Sequence, residues 1–256
     1  MNRFFLEMYL RNIFGKNREK EIDYLSYMMR SDSISLDVGA NRGTYAYPIS
    51  RRVNEKGHVF LFEPLPKLYD YLSEAFRTLN QVTVFKNACG HVAGKKSIKI
   101  PLYSGSLGLG AASFVNDFAE FQEIQIVVIR IDDLNLPRVD FIKIDVEGYE
   151  TFVLKGAVKT IERSQPLILV EIDWNMGNQY FEELTNLISS INYRVFALTR
   201  DRFLDVELGE FKSLNLNFHD LGYRNNFFLV PAHRLEETKI KMIRQKKAMH
   251  FLRRFI

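Results

Sequence analysis

The sequence predicts an open α/β fold, a parallel β-sheet covered by helices on both faces, and three observations carry that prediction. Short strand-type runs that are apolar along their whole length alternate with longer segments of helical period, as expected of strands buried on both faces. The first such run ends in a glycine-bearing turn that leads straight into a helical segment, where open α/β sheets place their ligands. The 256 residues, 46% apolar and 26% charged, suffice for one full core and are ordinary for a folded globular chain.

Residues 1–30 are expected to form an N-terminal helical extension. Its first stretch, MNRFFLEMYLRNIFGK, is apolar, but Arg3, Glu7 and Arg11 interrupt it and no small-residue cleavage site follows, unlike a signal peptide. The main domain spans 31–232. Ser33–Val38 reads as its first strand, stopped by Gly39, and residues 44–53 as a helix with Pro48 near its start. His58–Glu63 is the second strand, stopped by Pro64. From Pro66 to Leu79, the residues Leu68, Tyr71, Leu72, Ala75 and Phe76 recur at the spacing of an amphipathic helix. Val82–Asn87 is a third strand. Residues 90–134 break the rhythm: Ser97–Leu102 and Gln125–Ile131 look extended and are joined by a Gly/Ser-rich stretch, which suggests an insertion over the carboxyl edge of the sheet. The alternation resumes with strand Phe141–Asp145, helix Tyr149–Glu162, strand Leu167–Glu171, helix Asn178–Ser190, and strands Tyr193–Ala197 and Asn226–Val230. Residues 233–256 are expected to be a basic amphipathic helix.

Composition excludes several classes. No apolar run approaches the roughly 18 residues that span a bilayer. Cys89, the single cysteine, allows neither an internal disulfide nor a zinc-finger cluster, so the cytoplasm is the default compartment. The net charge of +4 is unevenly placed, because Arg234–Ile256 holds eight Lys/Arg against two Glu, a local +6 that leaves about −2 for the rest. That is a basic tail on a near-neutral body, unlike a uniformly basic nucleic-acid binder.

The most informative stretch runs from Leu36 to Tyr45, LDVGANRGTY. Gly39 permits a sharp turn and Gly43 lets the helix pack close to the strand. A dinucleotide site would want glycine at position 41 as well, so that backbone can approach a pyrophosphate. Asn41 stands there instead. A nucleoside cofactor without pyrophosphate makes no such demand, and S-adenosylmethionine is the common one; a tight turn in any Rossmann-like protein would look the same. On this reading Asp37, Gly39, Ala40, Asn41, Gly43 and Tyr45 are candidate cofactor residues. Glu63 closes the second strand and is placed to accept hydrogen bonds from two ribose hydroxyls, with Pro64 beside it. The alternative for Glu63 is a carboxylate at the start of the following helix. Asn87 and Ala88, ending the third strand, suit the edge and face of an adenine.

Asp37-Val38-Gly39-Ala40-Asn41 with Gly43, then Phe62-Glu63-Pro64, then Ile142-Lys143-Ile144-Asp145-Val146-Glu147-Gly148-Tyr149-Glu150, followed by Val153-Leu154 and Gly156-Ala157, resemble the FkbM-type methyltransferases from about Ser33 to Val230. The resemblance implies a Rossmann-like, seven-stranded class I methyltransferase sheet with helices on both faces and an antiparallel last strand. It also implies S-adenosylmethionine as methyl donor and, usually, O-methylation of sugars, glycans, lipids or natural products. Carried onto this chain, it sets Asp37, Gly39, Asn41, Gly43, Glu63 and Asn87 along the cofactor and Asp145 facing the reacting methyl group. Glu147 is either part of that site or a capping carboxylate for the next helix.

An alcohol acceptor must lose a proton as it is methylated, and Asp145, Glu171 and Asp173 end adjacent strands if the fourth and fifth pair. One of them is the expected base. The alternative is a divalent cation held by two or three of them; the metal-free version is preferred because no third ligand is fixed by spacing. The alternative for Asp173, and less so for Glu171, is a cap on the following helix, and His219 is a second base candidate that is more often structural. Tyr103–Phe114, apolar and glycine-rich, is expected to gate the acceptor pocket, and Trp174 either stacks on a sugar face or belongs to the core. In the tail, Ile240, Ile243, Ala248, Phe251, Leu252 and Phe255 share one side of a basic helix, a pattern that lies on anionic bilayers, packs on the N-terminal helix or meets a homodimer partner. The expected acceptor is a hydroxyl of a sugar or glycan, such as a surface-polysaccharide or glycolipid precursor, modified in the cytoplasm or at the inner face of the membrane. A natural-product acceptor and a non-catalytic cofactor binder are the alternatives. Nucleic acid is not expected as a partner, because no motif for a flipped base is present.

Overall fold

The structure is a computed structural model that describes residues 4, 7, 8, 19–172, 178–198, 203–210 and 225–241. A short helix α1 (Ile22–Met28) leads into β1 (Ile34–Val38), α2 (Ala46–Arg52), β2 (His58–Phe62), α3 (Pro66–Phe76) and β3 (Val82–Phe85). The insertion follows, with β4 (Ala88–Cys89), β5 (Gly94–Tyr103), β6 (Ser106–Leu107) and β7 (Phe121–Ile129). The main fold then continues through β8 (Phe141–Ile144), α4 (Glu150–Lys155), α5 (Val158–Ser164), β9 (Leu167–Glu171), α6 (Asn178–Ser190), β10 (Tyr193–Leu198), β11 (Phe203–Val206) and β12 (Asn226–Pro231).

The main sheet has the order β11-β10-β12-β9-β8-β1-β2-β3. β3, β2, β1, β8 and β9 run parallel, whereas β12 is antiparallel to both β9 and β10. The antiparallel last strand expected from the family resemblance is therefore present. An eighth strand, the short edge strand β11, adds to the seven expected, and its sequence FLDV carried too little alternation to mark it. Every residue of β8 and β12 is buried, because helices cover both faces. One face packs Leu36, Ile142 and Ile168 against α5 and α6; the other packs Leu61, Phe141 and Leu169 against α1, α2 and α3.

The helix expected over 149–162 is two helices. Gly156 lies between them because the chain crosses the backbone of Gly90 there: a Cβ at Gly156 would stand 2.0 Å from the Gly90 carbonyl oxygen. The third strand is also shorter than expected. At residue 86 the chain leaves the main sheet, and Ala88–Cys89 pair with β7 in a separate four-stranded sheet, β4-β7-β5-β6. Ile98, Ile100, Ile126 and Val128 of that sheet pack on Leu65 and Leu68 at the head of α3, which fixes the insertion over the carboxyl ends of β1 and β2. Among the described residues no helix is long and apolar enough to cross a membrane.

Candidate active site

The strand order reverses at β1, with β2 on one side and β8 on the other, so a crevice opens at their carboxyl ends. The turn after β1 is built for close approach. Gly39 has φ 83° and Asn41 φ 48°, and a Cβ on Gly39 would lie 1.8 Å from the Asp145 carbonyl oxygen. The Gly39 and Ala40 amides donate to the Phe62 carbonyl at 3.0 and 3.1 Å. Glu63 then bridges two turns with one carboxylate, which accepts the Asn41 amide at 2.8 Å and the Leu65 amide at 2.9 Å. It is 4% exposed. Burial pushes its pKa up to about 7 against the pull of those two amides. The second of the two sequence readings of Glu63, a carboxylate at the start of the following helix, describes its bond to Leu65, whose amide precedes helix α3.

Beside Glu63 lies a cleft of about 650 Å³. Gly39, Asn41, Glu63 and Pro64 form one wall, Ile98, Leu109 and Phe114 of the insertion another, and Ala88 and Cys89 lie between them. Asn87 is not among the residues lining this cleft: the chain turns toward the insertion sheet there, and its amide donates to the Val127 carbonyl at 3.5 Å. Gly43 lies against the side chains of Phe4 and Leu72 and serves packing. The stretch 103–114 lies over this same cleft, where the sequence reading set it over the acceptor. Ser113 ties it down: its Oγ donates to the Glu147 carbonyl at 2.6 Å and accepts the Val115 and Asn116 amides.

A second cavity, about 490 Å³, shares Gly39, Asn41 and Asp145 with the first and extends over Glu19, Asp37, Tyr45 and Lys143. Asp37, 2% exposed, is raised to about 7 by burial, partly opposed by Lys143. Its Oδ2 and the Tyr45 hydroxyl are buried without a hydrogen-bond partner among the described residues. Asp145 stands where the two cavities join, its side chain about one-third exposed (32%). Glu171, at the end of the neighbouring strand β9, lies beside it, and burial together with the Asp145 charge raises the pKa of Glu171, with Lys143 opposing. The strand-end carboxylates Asp145 and Glu171 are therefore brought together, while Asp173, Trp174 and His219 lie outside the described residues.

Three residues of this site were given no role from sequence. Lys143 and Asn226 lie within the buried strands β8 and β12. Glu150, fully buried, organises the loop after β8: it accepts the Gly148 amide at 3.0 Å and the Val146 amide at 3.3 Å, and Tyr180 donates to it at 2.7 Å. That is the capping work considered for Glu147, whose residue instead takes the left-handed φ of 51° and lines the first cavity. Among the described residues no group of three or more His, Cys, Asp or Glu side chains is placed to hold a metal ion.

A doubly covered sheet with β12 antiparallel, a glycine turn after β1 and an acid closing β2 define the class I S-adenosylmethionine-dependent methyltransferase fold. The Methyltransferase FkbM domain matches residues 37–195, and the chain belongs to that family of methyltransferases. It is 29% identical over 178 residues to the hexuronic acid methyltransferase AglP of Haloferax volcanii, covering 66% of this chain and 68% of that protein. It is 27% identical over 146 residues to Methyltransferase 1 of Beauveria bassiana, covering 49% of this chain and 58% of that one. The crystal structure of Methyltransferase FkbM from Methylobacillus flagellatus superposes with a TM-score of 0.51 at 20% identity. That match covers 86% of this chain and 47% of the solved one, so the chain spans about half of that structure's length.

Proposed function

We propose that the protein is an S-adenosylmethionine-dependent O-methyltransferase acting on a hydroxyl of a sugar or glycan. The observation that carries the reading is the buried Glu63 carboxylate, bridging the turns after β1 and β2 at the wall of an apolar-sided cleft. The residues present fit a nucleoside. Glu63 keeps lone pairs for two ribose hydroxyls beyond those used by its amides. Pro64, Ala88, Leu109 and Phe114 offer the apolar surfaces an adenine ring requires.

When bound, S-adenosylmethionine supplies a methyl group carried on a sulfonium. The chain supplies placement and a proton acceptor. Asp145, at the junction of the cavities, takes the proton of an acceptor hydroxyl, and such a base is worth ~10²–10⁴-fold. Holding the hydroxyl in line contributes further. Glu171, beside Asp145 at the end of β9, carries the proton that the pair shares. An acceptor carboxylate would need no base and would meet repulsion from Asp145 and Glu147, so this arrangement favours a hydroxyl. The similarity to a hexuronic acid methyltransferase supports a sugar acceptor. Calorimetry with the purified chain should register uptake of S-adenosylmethionine and of its demethylated product; absence of both overturns the reading. Mass spectrometry of surface glycans from cells with and without the gene locates the acceptor by a missing CH₂ increment. Unchanged glycans alongside a methylated small metabolite would favour a natural-product acceptor instead.

A further inference from the structure

Lys143 is an unexpected occupant of the centre of a sheet. It lies in β8 between Ile142 and Ile144, is wholly buried, and stands in register with Asp37 on β1 and Leu169 on β9. A charge in such a place persists only when paired and hydrogen-bonded. Its Nζ donates to Asn226 Oδ1 at 3.0 Å and to the Ile144 carbonyl at 3.3 Å, and stands 3.7 Å from Asp145 Oδ2. The Tyr45 ring covers it, with the ammonium 4.8 Å from the ring centroid. Asn226 is itself in register with Glu171. The ammonium is thus anchored on the antiparallel strand and directed at the carboxylate that joins the two cavities.

The other groups around Asp145 are acidic. Asp37 faces it from β1, Glu171 from β9, Glu147 and Glu150 from the loop and helix that follow β8, Glu19 from the N-terminal segment, and the Tyr45 phenol from the start of α2. Among the described residues the cation within ion-pair distance of Asp145 is Lys143. Two adjacent carboxyls, here Asp145 and Glu171, cannot both ionise cheaply, so one proton rests on one of them. From this arrangement we infer that Lys143, held by Asn226, is a positioning residue for methyl transfer: it keeps the negative charge on Asp145 and leaves the shared proton on Glu171. The inference rests on the reading of Asp145 as the base. Without the ammonium, the proton is free to sit on Asp145, and the base is lost at neutral pH.

The test is a carbon-13 NMR titration of the full chain, without ligand, labelled at Asp Cγ and Glu Cδ, with Asp145→Asn and Glu171→Gln assigning the two resonances. In the wild type, the first proton taken up by the pair on acidification should appear on Glu171. In Lys143→Met the Asp145 midpoint should rise by about 1–3 pH units, and in Lys143→Arg it should stay near the wild-type value. An unchanged midpoint in folded Lys143→Met, or an equal rise in both variants, overturns the inference. A residue that only braced the sheet would lower stability without reordering the pair. Lys143→Gln keeps a hydrogen bond to Asn226 should the methionine variant not fold. Should no variant fold, the wild-type order of protonation decides: first uptake on Asp145 overturns the inference. Methyl transfer to p-nitrophenyl β-D-glucopyranoside, which offers hydroxyls and no carboxylate, followed against pH, separates the two claims. If the midpoints move as expected but Asp145→Asn retains turnover, the base assignment fails and the positioning of charge stands.

Discussion

Replacing Glu63 with alanine removes one carboxylate from two turns at once. The Asn41 and Leu65 amides, now bonded at 2.8 and 2.9 Å, lose their acceptor inside a site that is 4% exposed. A buried donor left unpaired costs about 1–3 kcal/mol, so the cofactor-free protein should lose a few kcal/mol. At about 2–4 °C per kcal/mol for a chain of this size, that is a fall in Tm of about 5–15 °C. Binding should suffer separately. Two ribose hydroxyls donating to a carboxylate contribute about 1.5–3 kcal/mol each, and each 1.4 kcal/mol is about tenfold in affinity, so the Kd for the demethylated cofactor should rise by about 100-fold or more. Glu63→Gln should sit between the two, because its amide oxygen can serve one backbone donor while its NH₂ turns toward the other. The assays are thermal denaturation without ligand and isothermal calorimetry with S-adenosylhomocysteine. A folded Glu63→Ala protein that binds this ligand as tightly as the wild type refutes the reasoning.

Three further outcomes are expected. Burial raises Glu63 and Asp37 each to about 7, above their unfolded range near 4; the stability they contribute is complete below about pH 4 and is lost as pH rises through about 7. Because ribose hydroxyls favour the ionised Glu63, nucleoside binding should strengthen with pH across that window and release a proton, seen as a buffer-dependent calorimetric enthalpy that disappears in Glu63→Ala; a flat pH dependence would contradict this. Gly39→Ala, with its Cβ 1.8 Å from a backbone oxygen and φ 83°, should cost about 3 kcal/mol or more and abolish ligand uptake; a near-normal melting curve counts against the turn geometry. Asp145→Asn should lower turnover by ~10²–10⁴-fold with cofactor affinity kept within a few-fold, whereas Glu171→Gln, which keeps a neutral hydrogen-bond donor beside Asp145, should retain most of it; near-wild-type turnover in Asp145→Asn removes Asp145 from the proton-transfer role.

Residues whose placement follows from short-range chain geometry were legible in the sequence. A parallel sheet forces apolar runs to alternate with helices, and the turn after β1 and the acid after β2 must then fall at the same carboxyl edge. That is why Gly39, Asn41 and Glu63 were found by reading along the chain. Asp145 and Glu171 came within reach once β8 and β9 were taken as neighbours. The tertiary structure decided what depends on register across strands distant in sequence. Lys143 meets Asn226 across 83 positions, and only the insertion of the antiparallel β12 beside β9 brings them together. The same holds for the break at Gly156, imposed by the backbone of Gly90, and for Asn87, turned away by the departure of the chain into the insertion sheet. Hydrophobic periodicity specifies which face of a strand is buried, whereas which polar groups share a buried site is set by the packing of whole elements.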